Sequence, residues 1–67
     1  MNLIIKKDHL NDTQHNVFLG NFHIGTIHGP SFKGTYSCYT TDDRTKLITY
    51  ATYQECLDYI QNYIKDT

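Results

Sequence analysis

The sequence contains no tryptophan, one proline, one methionine and two cysteines, and its charge has no dominant sign, with six Lys and Arg against seven Asp and Glu. Each shortage excludes something. With two cysteines and no secretory signal expected, Cys38 and Cys56 are expected as free thiols rather than a disulfide framework, because the cytosol keeps thiols reduced. A formal net charge of −1 is not that of a nucleic-acid mimic, nor does it supply a broad basic surface for phosphates. No apolar run approaches the ~18 residues of a membrane span. The start of the chain has only Leu3, Ile4 and Ile5 in succession, so neither a span nor a secretory leader is expected, and the expected location is the cytoplasm. At 67 residues the chain allows a single domain, 1–67, and excludes a TIM barrel, a doubly wound sheet and a two-domain cleft. In a domain so small nearly every apolar side chain has to serve the core.

What is present is patterned. The first half alternates with a period of two, and the last quarter repeats near 3.6. Residues 2–8 read as a strand, with Leu3, Ile5 and Lys7 on one side and Asn2, Ile4 and Lys6 on the other. Residues 9–14, rich in Asn, Asp and Thr, break it. In Val17-Phe18-Leu19-Gly20-Asn21-Phe22-His23-Ile24-Gly25, the Gly-Asn pair between two apolar runs predicts a two-residue hairpin turn. That turn sets Leu19 opposite Phe22 and Val17 opposite Ile24 on one face, with Phe18 and His23 paired on the other. Residues 29–34 form the next break, with Phe32 at its tip between Gly29 and Gly34. Residues 35–41 and 46–50, joined through the turn-prone Thr41-Asp42-Asp43-Arg44, predict a second hairpin.

The helix announces itself most clearly. Thr52 and Glu55 have the spacing of a capping box, and Tyr53, Leu57, Ile60 and Ile64 recur at intervals of four, three and four on one stripe, flanked by Cys56 and Tyr63. The predicted class is therefore α+β: a small antiparallel β-meander of four to five short strands with one C-terminal amphipathic helix packed on one face. Its core is expected from Leu3, Ile5, Val17, Leu19, Phe22, Ile24, Leu47, Leu57, Ile60 and Ile64.

One helix covers one face. A regular hairpin then leaves Phe18, His23 and Ile27 on the other, an unusual set for plain solvent exposure unless a loop covers them or the strand shifts register after Gly25.

Catalytic chemistry finds little support. The four histidines, His9, His15, His23 and His28, and the two cysteines lack paired metal-ligand spacing, so no metal is expected. Cys56 falls on the flank of the helix stripe as a small apolar residue, and no histidine is obliged to lie beside Cys38. Asp42 and Asp43 are turn neighbours rather than an acid–base pair. The four glycines are scattered among strand ends, not set between a strand and a helix start, so no phosphate loop and no cofactor are expected.

Binding remains. Lys6, Lys7, Lys33, Arg44, Lys46 and Lys65 are dispersed, although residues 1–41 carry three lysines against Asp8 and Asp12 while the remainder is acidic. Of Tyr36 and Tyr39 only one can share a platform for bases. Tyr59 and Tyr63 lie four apart on the helix shoulder, and tyrosine is favoured in protein interfaces.

The order of strands followed by one helix, together with the helix start Thr52-Tyr53-Gln54-Glu55-Cys56-Leu57, loosely resembles the AP2-type domains of phage integrases and small phage proteins, anti-CRISPR proteins among them. The resemblance carries no individual residue over. For an AP2-type module it implies DNA binding on the open sheet face. The expected function is that of a non-enzymatic binding protein, an inhibitor or adaptor of the kind phages and mobile elements encode, acting by protein contact. Phe18, His23, Ile27, Phe32, Tyr39, Tyr59 and Tyr63 are its candidate contact residues, and a homodimer through the open face is compatible with it. A DNA- or RNA-binding module on that face is the alternative.

Overall fold

The computed structural model describes residues 3–65. Five strands, β1 (Leu3–Lys7), β2 (Gln14–Leu19), β3 (Phe22–His28), β4 (Tyr36–Thr40) and β5 (Asp43–Tyr50), precede one helix, α1 (Tyr53–Lys65). The strands form a single antiparallel sheet in the order β1-β2-β3-β4-β5, and α1 lies across β3, β4 and β5. This is the α+β meander that the alternating and helical periodicities predict. Asn2, the first residue of the predicted strand, is outside the described residues.

The helix begins as its capping residues require. Thr52 Oγ1 accepts the amide proton of Glu55 at 3.2 Å and donates its own to Glu55 Oε1 at 3.0 Å. The box thus closes through the hydroxyl rather than through the Thr52 backbone amide. Directly after the cap, the first helical residue, Tyr53, is wedged edge-on against His15 and Tyr36, with ring centroids 5.5 and 5.9 Å away. The fully buried core is Val17, Ile27 and Cys38 from the sheet and Cys56 and Ile60 from the helix. Leu3, Ile24, Ile48, Leu57 and Ile64 pack around it.

The β2–β3 hairpin turns at Gly20 and Asn21 as predicted, but only Gly20 takes a positive φ, +63°, which is the demand of a turn with glycine at its first centre. Leu19 pairs with Phe22, and Phe18 with His23. The register then shifts: Val17 pairs with Gly25, not with Ile24, so Ile24 is one extra residue on β3. A single insertion exchanges the faces of everything after it. Ile27, predicted on the outer face, is consequently 0% exposed in the core beneath the helix. The shift is what allows the helix to dock closely, because it brings the side-chain-free Gly25 under Ile60.

Three residues predicted in the core lie largely outside it. Ile5 is 38% exposed, because β1 is an edge strand beyond the reach of α1. Phe22 is 75% exposed at the hairpin tip. Leu47 is 60% exposed: Cys38 pairs with Ile48 and Thr40 with Asp43, so Leu47 falls in the stretch of β5 that bulges away from β4.

Candidate functional site: the open sheet face

Cross-strand partners share a face, so the register lists what the uncovered side of the sheet presents. One row runs Ile4, Phe18, His23. A second runs Lys6, Asn16, Thr26, Tyr39, and a third Gln14, His28, Ser37, Thr49. The rings meet in two pairs. Phe18 and His23 lie 5.2 Å apart at 32°, and His28 and Tyr39 stack at 6.0 Å and 27°. Lys6 Nζ stands 5.4 Å above the Phe18 ring. Beneath them Thr26 is fully buried, its Oγ1 hydrogen-bonded to His23 Nε2 at 3.0 Å. Gln14 Nε2 donates to Asn16 Oδ1 at 3.1 Å, and Ser37 and Thr49 share a hydroxyl bond of the same length.

No Asp or Glu belongs to any of these rows. Asp8, Asp12 and Asp42 lie in connections between strands, Asp43 opens β5 opposite Thr40, and Glu55 and Asp58 are on the helix. The face is therefore aromatic and amide-rich, with Lys6 as its cation.

The seven predicted contact residues separate into four groups. Phe18, His23 and Tyr39 are together on the open face, each half-buried. Ile27 is core. Tyr59 and Tyr63 belong to the helix side: Tyr59 packs on the core with its ring 6.3 Å from Tyr50, and the Tyr63 hydroxyl donates to Asp42 Oδ2 at 2.9 Å. Phe32, 97% exposed, projects from the β3–β4 connection. Sequence reasoning missed Lys6 and His28 as members of the face. A glycine inside an apolar strand, Gly25, was the available sign of a bulge that would turn His28 outward in place of Ile27.

The two thiols are a separate feature of the core. Cys38 on β4 and Cys56 on α1 are both fully buried. Burial pushes the Cys56 thiol up to about 12, reinforced by the hydrogen bond it donates to Cys38, and burial also raises Cys38 despite accepting that bond. Such thiols are poor nucleophiles. Among the described residues no three His, Cys, Asp or Glu side chains come together as metal ligands, and no helix is long and apolar enough to cross a membrane.

No protein-family model, curated protein or solved structure matches this chain.

Proposed function

We propose that this chain is a non-enzymatic binding protein that meets another protein through its open sheet face, as an inhibitor or adaptor in the cytoplasm. The supporting observation is the set of four rings, Phe18, His23, His28 and Tyr39, held in two pairs on a face that no other described element covers. Aromatic side chains with polar edges provide large contact area at low entropic cost, and they dominate the energetics of protein interfaces. Inhibition of a defence system, as by an anti-CRISPR protein, is one form this function would take. The test is capture by the tagged protein after nuclease treatment, with the paired variant Phe18→Ser, Tyr39→Ser as comparison. Loss of a specific partner by a variant that melts like the parent is expected; undiminished capture rejects the face as the interface.

A nucleic-acid partner is the second reading. What favours it is the lack of carboxylates in the three rows together with Lys6 poised on Phe18, a local balance the net charge conceals. Retention on single-stranded DNA or heparin that falls steeply with salt would establish it, and salt-insensitive capture of protein would exclude it.

A further inference from the structure

The β3–β4 connection is an internally hydrogen-bonded loop with an apolar tip. Ser31 organises it. Its amide donates to the Thr35 carbonyl at 2.9 Å, its carbonyl accepts from Gly34 at 2.8 Å, and its hydroxyl receives the amides of Lys33 and Thr35, both at 3.2 Å. Gly34, at φ +83°, occupies a conformation that side chains disfavour. At the tip of this fixed frame Phe32 stands 97% exposed, with Lys33 Nζ 5.9 Å from its ring centroid. A preorganised loop holding a phenyl ring and a cation in water has the character of an interface anchor, since little ordering entropy is left to lose on binding.

The same molecule carries the complement. Where the β2–β3 hairpin tip meets the last turns of α1, Leu19, Phe22, Ile24 and Ile64 line a notch of about 240 Å³, with Asp42 and Tyr63 at its polar side. A cavity of ~150 Å³ with aliphatic walls accommodates benzene, so a phenyl ring fits this one. Asp42 is exposed and acidic, and it stands beside the apolar wall as Lys33 stands beside Phe32.

We infer that the Ser31–Gly34 loop of one copy docks into the Leu19–Ile24–Ile64 notch of a second copy, with Phe32 entering the apolar wall and Lys33 facing Asp42. The occupant is this chain itself, because the match is double, apolar to apolar and cation to carboxylate. β3 runs from the notch, at Phe22 and Ile24, to the loop, which follows His28, so the two features lie at opposite ends of the sheet. At about 3.3 Å per residue that separation is about 20 Å, and a copy cannot fill its own notch. The contact is head to tail, each copy offering its loop at one end and its notch at the other, so association proceeds stepwise. One loop in one notch is a small interface, which sets the association in the weak, transient class. It uses none of the open-face rings and stands independently of the protein-binding reading.

Sedimentation velocity from micromolar to millimolar protein tests it. The parent is expected to show a rising average mass without a limit at two copies. Phe32→Ser, with an intact notch, and Asp42→Lys, with an intact loop, are each expected to lower the association constant at least tenfold. Both residues are exposed, and melting temperature serves as the folding control; Lys33→Asp replaces Asp42→Lys if that variant melts early. The mixture of Phe32→Ser with Asp42→Lys decides the geometry. One sound loop and one sound notch remain, so a one-to-one pair is expected that grows no further. A parent that stays monomeric at millimolar concentration overturns the inference, as does a closed dimer indifferent to both substitutions.

Discussion

Ile60 of α1 rests on the bare backbone of Gly25: a Cβ at that position would lie 2.9 Å from Ile60 Cδ1 and 3.0 Å from the carbonyl oxygen of Tyr39. The helix approaches the sheet as closely as it does because β3 has no side chain where it crosses. Gly25→Ala is expected to cost about 1–3 kcal/mol by overpacking. Combination with Ile60→Val should recover part of that loss, since the two changes share one contact, while the fixed Tyr39 carbonyl keeps the recovery incomplete. Urea unfolding midpoints of the single and double variants check it.

Ile27 moves into the core while Phe18 keeps the outer face that a regular hairpin gives both of them, and stability separates the two registers. Ile27→Ala is expected to cost about 2–5 kcal/mol, and Phe18→Ser well below that. Equal losses in chemical denaturation would place both side chains in one core and remove the bulge at Ile24.

Thr52 holds the helix start through its two hydroxyl bonds with Glu55. Thr52→Ala should lower stability by about 1 kcal/mol, and Thr52→Ser by less, because serine restores the same acceptor. Thermal melts of the two variants supply the comparison.

The buried thiols make stability depend on alkaline pH. Cys56 is raised from its usual 9.0 to about 12, and burial also raises Cys38, Tyr50 and Tyr53. The folded form therefore keeps protons that the unfolded chain releases. Stabilisation is complete below the unfolded thiol value and declines as pH climbs through the interval between that value and about 12. Urea unfolding at a series of pH values should show this fall, with a shallower slope in Cys56→Ala. For the same reason, alkylation of native protein at neutral pH should leave both cysteines unmodified until denaturant is added.

The helix was legible because its signals are local. Thr52, Glu55 and the stripe Tyr53, Leu57, Ile60, Ile64 lie within a few turns of one another, and nothing remote has to be known. The β2–β3 turn was legible for the same reason, down to the pairing of Leu19 with Phe22. What failed is what depends on an irregularity. One extra residue, Ile24, sends Ile27 inward and His28 outward, and alternation contains no warning beyond a glycine in mid-strand. Leu47 was misjudged because the bulge of β5 has no local signature. The open face follows from having one helix, and Phe18 and His23 were legible on it, whereas Ile27 was misplaced there and the side of Tyr39 stayed open until the register was known. That its three cross-strand rows hold no carboxylate needed the register, since Lys6, Asn16 and Tyr39 are distant in sequence and become neighbours only across β1, β2, β3 and β4.

Every strand pairs with the one that follows it, and only the helix returns over strands already formed. Such nearest-neighbour pairing favours quick assembly, hairpin by hairpin. Yet Val17, Ile27 and Cys38 have no cover until Cys56 and Ile60, far later in the chain, arrive above them. A nascent sheet that has paired its backbone still shows water the side destined for the core, so hairpin closure alone leaves it adhesive, and the docking of thirteen helical residues ends that interval.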